Sequence, residues 1–264
     1  MKVWRDSKHA TDSSSVSIWA FVYQNVGGAC IVTIWWLVLH RVSGPKLYFQ
    51  SGRTVPLRYA RVILPGILLL YVVPTVALFV PGQSLNTMQN LIAFWQFAPI
   101  FANIPLWIAF LSGSSTAVTA KNKNADVRSL KILYAFVFAV CVVAHWYTIR
   151  GISLSDNPDV TYARVFIPST YTWKKGIDWG LLFIFQWDWI IIGSMCIIPS
   201  WVAVCDVQRM RNGEATLENI FESFLVVIAV TVMGGPGAAL AAVWFWREGK
   251  MAEIEGASGV KKVQ

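Results

Sequence analysis

The sequence predicts an all-α, polytopic transmembrane helical bundle of about six helices, and three observations carry that expectation. Of the 264 residues, 56% are hydrophobic and only 14% charged, whereas a soluble domain carries about a quarter charged residues to cover its wet surface. The 14 Trp and 15 Phe point the same way, as does a mean hydropathy of +0.53. The apolar residues also fall into six blocks, each close to the roughly 20 residues of helix that a bilayer core requires. A soluble enzyme, a nucleic-acid-binding protein and a disordered tail protein are excluded.

In chain order, residues 1–15 read as a polar N-terminal segment of mixed charge. It lacks the apolar core and cleavage site of a secretory peptide. The expected spans are Val16–Leu39, Val62–Val80, Leu91–Leu111, Leu130–Ile149, Leu181–Val204 and Phe224–Trp246, so the bundle occupies 16–246 and a polar C-terminal tail occupies 247–264. Helices are the physical choice, because lipid cannot satisfy an open strand edge and the blocks are about twice the length of a barrel strand. Leu47-Tyr48-Phe49-Gln50-Ser51-Gly52 resembles a protease-cleavage tag, but it lacks the acidic residue of such tags and reads as native. The longest connection, Arg150 to Trp179, is rich in Ser, Asp, Pro, Thr and Tyr. It is either a lid or an exposed loop.

The chain holds 22 Lys and Arg against 14 Asp and Glu, a net charge of +8. The bases sit in the connections, where headgroup contact and topology explain them better than nucleic acid does. They divide evenly: Arg41, Lys46, Arg53, Arg58, Arg61, Lys121, Lys123, Arg128, Lys131, Arg209 and Arg211 on one face, the remainder on the face of the N-terminus. Because several of the latter lie in long or terminal segments, the former face is expected to be cytosolic. Cys30, Cys141, Cys196 and Cys205 lie in or at the ends of apolar blocks with no CxxC spacing, and read as packing residues.

Intramembrane ionisable residues are the best pointers to function in such a chain. Asp188, in Phe185-Gln186-Trp187-Asp188-Trp189, lies about 12 Å into the fifth span at 1.5 Å per residue. Its helical neighbours Ile184, Phe185, Ile191 and Ile192 offer no partner, so any partner comes from another helix. An Asp at that depth costs about 2.5–3.5 kcal/mol of insertion free energy. Gln24, Asn25, Thr75, Gln96, His145 and Gln186 fall in the same half of their spans, and predict either one polar pocket or scattered residues bonded to backbone and headgroups. A desolvated carboxyl tends to hold its proton, which suits a general acid. His145 either orients Asp188 or reaches the interface. Trp187, Trp189, Trp95 and Trp146 are expected to shape the pocket, where aromatic faces stabilise cations by about 0.5–2 kcal/mol each; several also serve as interfacial anchors.

Gly234, Ala238 and Ala242 form a small-residue ridge, and Pro236 predicts a kink. Asp206 and Glu222 with Arg209 and Arg211 read as solvated pairs. No HExxH, GxSxG, P-loop or Asp-rich cluster is present; no cofactor and no metal are expected.

The residues then suggest a family. The stretch Tyr48–Pro81, with Val55-Pro56-Leu57-Arg58-Tyr59-Ala60-Arg61 and Leu70-Tyr71-Val72-Val73-Pro74-Thr75, resembles fungal membrane proteins of secondary-metabolite clusters. So do Leu91–Pro99 with Phe94-Trp95-Gln96, Gln186-Trp187-Asp188, and Gly235-Pro236-Gly237-Ala238 followed by Trp244-Phe245-Trp246-Arg247-Glu248. Together they cover most of the chain and resemble the small membrane-bound terpene cyclases of meroterpenoid pathways. The resemblance implies a multi-pass protein of the endoplasmic reticulum. It also implies a hydrophobic prenylated aromatic or polyketide substrate drawn from the bilayer, and metal-independent protonation of an epoxide or olefin. Family cyclases are similar to a seven-helix bundle with one early and one late acid. Here Val16 to Val80 contains no Asp or Glu. The chain therefore reads as beginning at the family's second helix, a shortened or diverged member in which Asp188 matches the late acid and Trp187, Trp189, Gln186, Trp95, Gln96, Gln24, Asn25 and Trp146 line the substrate. Two other functions fit the same residues: a carrier for a hydrophobic metabolite, and a non-catalytic membrane subunit.

Overall fold

The computed structural model describes residues 12–43, 55–113 and 124–260. The tag-like segment Leu47–Gly52 and several bases of the connections, Lys46, Arg53, Lys121 and Lys123 among them, lie outside the described residues. Helix accounts for 82% of the structure and strand for none of the described part, so the class is all-α. Among the described residues, five helical stretches are long and apolar enough to cross a bilayer: Leu57–Leu78, Leu85–Leu111, Val127–Ser153, Ile177–Asn212 and Leu217–Gly234, with a shorter apolar one at Gly28–Val38.

Three of the six expected spans are divided, two of them at a glycine. The first splits into α1 (Asp12–Val26) and α2 (Gly28–Ser43) at Gly27, whose φ of +117° is open to glycine and strained for other residues. The last splits into α9 (Leu217–Gly234) and α10 (Pro236–Val260) at Gly235, φ +87°. The expected kink at Pro236 is thus a full helix break, with proline at the first helical position, where its missing N–H costs nothing. Helix α10 then runs past Trp246 through the segment read as a polar tail, burying Arg247 and Glu248 on the way.

Between them, α3 (Leu57–Leu78) contains a wide π turn over Leu68–Val72, immediately before Pro74. A proline there can give no hydrogen bond to the carbonyl four residues back, and the widened turn accommodates it. Ser84 caps α4 (Leu85–Phe101) by accepting from the Thr87 N–H at 3.1 Å. A turn at Ala102–Asn103 leads into α5 (Ile104–Leu111). Helix α6 is Val127–Ser153, α7 the short Tyr162–Phe166, and α8 Ile177–Asn212. At 36 residues α8 is about 54 Å long, well beyond a hydrocarbon core of about 30 Å, so it extends past the membrane.

The chain forms two compact units: the described parts of Met1–Gly27 with Leu37–Leu133, and those of Gly28–Trp36 with Tyr134–Gln264. In the first, α3 packs on α4 and α5, and α1 on α4. A Cβ on the buried Gly66 would meet the Pro105 ring at 3.1 Å and the Ala102 carbonyl at 3.2 Å, so glycine is what lets these helices approach. Asp126, 2% exposed, accepts from the Val55 N–H at 2.7 Å and ties the start of α3 to the start of α6. In the second unit α8, α9 and α10 pack mutually around Ala203, Val227, Ala239 and Val243, flanked by Ile197, Trp201, Val204, Val230 and Trp244. Ala238 and Ala239 are fully buried, as expected of a small-residue face that brings helices close. Asp206 and Arg209 pair at 3.0 Å near the far end of α8.

Candidate functional site

The polar residues of the fifth span leave α8 in different directions. Residues two apart on a helix differ by about 200° and do not face each other, whereas those three, four or seven apart do. Asp188 and Ile192 share one face; Gln186, Trp189 and Gly193 share another.

The Asp188 face meets the start of α2. Because the chain breaks at Gly27, the first N–H groups of α2 have no carbonyl of their own helix to bond. The half-buried Asp188 supplies one acceptor: its Oδ1 receives the Ala29 N–H at 3.3 Å. One turn further along α8, the Ile192 Cδ1 lies 3.5 Å from the place a Cβ on Gly28 would take. A Cβ there would make an ordinary van der Waals contact, so α2 and α8 are packed side by side where the aspartate reaches across. Oδ2 has no hydrogen-bond partner among the described residues.

The Gln186 face meets α7. Gln186 is 5% exposed, and its Nε2 donates to the carbonyl oxygens of Arg164 at 2.7 Å and Ile167 at 3.1 Å. Those carbonyls belong to the end of α7, whose five residues leave most backbone acceptors unsatisfied. Trp189 adds a ring contact to Phe166, centroids 4.8 Å apart. Thr161 caps α7 by accepting from the Arg164 N–H at 3.1 Å. The α7 segment of the long connection is therefore fastened to α8.

Trp187 and Trp189 flank Asp188 in sequence, yet about half of each is exposed at the protein surface, 45% and 49%. Trp187 lies edge-on to Phe183 at 6.4 Å. They border the Asp188 face without closing it.

His145 and Trp146 of α6 lie against the break between α9 and α10. A Cβ on Gly235 would stand 3.2 Å from His145 Nδ1, so both the positive φ and the imidazole require glycine there. Trp146 Nε1 donates to the Met233 carbonyl at 3.0 Å, one of the last of α9. Beside them, a Cβ on Gly237 would stand 2.9 Å from Cys141 Sγ. Among the described residues His145 makes no hydrogen bond, to Asp188 or to any other group.

The remaining expected lining residues belong to the unit of Met1–Gly27 and Leu37–Leu133. Trp95 Nε1 donates to Thr75 Oγ1 at 2.8 Å, and Thr75 donates to the Tyr71 carbonyl at 2.7 Å. The Tyr71 ring, carried by the π turn, lies 6.3 Å from Trp95. Asn25 donates to its own helix at Phe21 O, Gln24 is half-buried and Gln96 is exposed.

Sequence reasoning passed over Ala29, Gly28 and the π-turn Tyr71. The two glycines in succession at 27–28 were the readable sign of the α1–α2 break.

A family model for the CtvD domain matches residues 1–251. The chain belongs to the CtvD domain family. Two fungal proteins resemble it at modest identity. Terpene cyclase DEP1 of Fusarium langsethiae is 24% identical over 242 residues, covering 84% of this chain and 65% of that protein. FAD-dependent monooxygenase verC1 of Penicillium polonicum is 25% identical over 236 residues, covering 87% of this chain and 28% of that protein. The chain thus spans less than two thirds of the length of either relative. No solved structure matches it.

Proposed function

We propose that this CtvD-family chain is a membrane-bound terpene cyclase of fungal secondary metabolism that acts on a prenylated, epoxidised aromatic or polyketide substrate. The observation that carries the reading is Asp188: an acid set into an apolar span, tethered through Oδ1 to the start of α2, with Oδ2 lacking a hydrogen-bond partner among the described residues. The DEP1 relative supports cyclase chemistry.

In this reading the protonated carboxyl donates from Oδ2 to the epoxide oxygen. The C–O bond to the more substituted carbon breaks, a neighbouring alkene attacks the cation, and loss of a proton from the final cation leaves a cyclic isomer of unchanged mass. Oδ1 keeps the Ala29 hydrogen bond throughout, which fixes the carboxyl's orientation. Positioned proton transfer contributes about 10²–10⁴ in rate. Trp187 and Trp189, the sequence neighbours of Asp188, are assigned the cation, which an aromatic ring stabilises by about 0.5–2 kcal/mol, although Trp189 also packs against Phe166 on the Gln186 side. Trp146 and Gln186, of the same unit as Asp188, contribute to the substrate surface, Gln186 through the segment that it anchors. His145 acts as a positioning residue by holding the α9–α10 break. The endoplasmic reticulum, where lipophilic intermediates partition, is the membrane assigned.

Co-expression with a pathway that makes a prenylated epoxide tests this directly. The expected result is an isomeric product that depends on the chain. Recovery of the epoxide unchanged, with vesicle uptake of it instead, would favour the carrier.

A further inference from the structure

The segment that joins α7 to α8 exposes Ile167, Tyr171, Trp173 and Ile177, with Tyr171 89% and Ile177 81% open. It leads directly into the apolar length of α8, where a hydrocarbon core gives way to headgroups. A single exposed apolar side chain is ordinary, but a series of them beside a span fits the interfacial layer that holds aromatic residues.

The cations of the same segment gather on two indole rings. The Arg164 guanidinium lies 4.1 Å from the Trp179 ring centroid and Lys175 Nζ lies 5.6 Å from it, so the two charges stand within about 10 Å, one Debye length at 0.1 M salt. Lys174 Nζ is 5.2 Å from the Trp173 centroid. The rings hold these side chains in place, yet like charges so close repel each other. Neighbouring acids do not answer them all. Asp159 pairs with Arg164 Nη1, and Asp178 lies in the first turn of α8, where the helix N-terminus meets its charge. Neither lysine forms an ion pair among the described residues. Arg164 retains donors on Nε and Nη2, and an open groove of about 540 Å³ beside it, lined also by Ser169, Thr170 and Trp179, gives an anion room.

We propose that this segment is a binding face for anionic phospholipids. Arg164, Lys174 and Lys175 receive the headgroup phosphates, and Tyr171, Trp173 and Ile177 enter the headgroup layer beside them. Charge selects an anion, and the apolar neighbours select a membrane over a dissolved polyanion. Anionic lipid is richest in the cytosolic leaflet, so the proposal turns this face to the cytosol, the reverse of the orientation expected from the sequence. The inference is independent of the cyclase reading, since no part of it involves Asp188.

The test is native mass spectrometry of the purified full chain in detergent, titrated with phosphatidic acid or with phosphatidylcholine of the same acyl chains. The expected preference for phosphatidic acid is about 25-fold, five-fold for each unpaired lysine. Lys174→Gln combined with Lys175→Gln should bring the two lipids close to parity. The same change of charge at the opposite end of α8, Arg209→Gln with Arg211→Gln, should leave the preference intact. Equal retention of the two lipids by the wild type overturns the proposal, and that comparison needs no variant to fold. Equal losses in the two double variants overturn it by reducing the attraction to net charge. Displacement of phosphatidic acid by an equal concentration of inorganic phosphate overturns it in favour of a dissolved anion.

Discussion

Two faces of one helix divide the polar work of the second unit. On one, Asp188 only accepts, from the first turn of a helix that a glycine has cut short. On the other, Gln186 gives its donor group to two carbonyls of a short helix and keeps its oxygen bare. Each side chain meets backbone groups orphaned by a helix end, which need a partner wherever water is absent. The difference lies in what remains: a carboxylate oxygen without a hydrogen-bond partner among the described residues on one side, an amide held by two backbone carbonyls on the other. Two residues apart in sequence, they support two separate tasks.

The largest effect separating the faces is expected from Asp188→Asn. The amide keeps an oxygen for the Ala29 N–H but cannot donate a carboxylic proton, so turnover should fall about 10²–10⁴-fold with the melting temperature preserved. A rate assay beside a thermal melt in detergent checks both. The converse is Gln186→Leu, which strands the Arg164 and Ile167 carbonyls. Stability should drop by roughly 1–3 kcal/mol, and limited proteolysis should cut the 161–172 segment faster. If that variant melted normally and lost turnover instead, the division of labour between the faces would be wrong.

The glycine breaks sharpen the comparison further. Gly235→Ala meets both a positive φ and the His145 ring, and should cost about 2–3 kcal/mol, part of which His145→Ala restores. Gly27→Ala meets the φ term alone, since nothing lies within 4 Å of its Cβ position, and should cost about 1–2 kcal/mol. Denaturant melts of both variants give the order, and a Gly27 variant more damaging than the Gly235 one contradicts the close packing assigned to His145.

These contrasts also mark what the sequence disclosed. The all-helical membrane class was legible because apolar block length maps directly onto bilayer thickness. The breaks inside the first and last blocks were not, since a run of apolar letters is indifferent to the sign of φ at one glycine. Gly234-Gly235-Pro236-Gly237 announced a disturbance, but its extent depended on Gly235 adopting the left-handed region. Asp188 and Gln186 stood out as polar letters in an apolar run, and depth placed them together. Direction separated them, and direction came from partners 159 and 22 residues away, the Ala29 N–H and the Arg164 carbonyl. Asp126 shows the same limit: an ordinary acid in a connection, buried because Val55 donates to it across 71 residues of chain.

The central claim, that Asp188 initiates an isomerising cyclisation, is tested most directly by mass spectrometry. Purified wild-type and Asp188→Asn chains would be given an epoxyprenyl aromatic substrate in ¹⁸O-labelled water. The expected result is a cyclic product of the substrate's own mass, free of label, from the wild type and essentially none from the variant. A labelled diol, or an isomer formed equally fast by both chains, would contradict it.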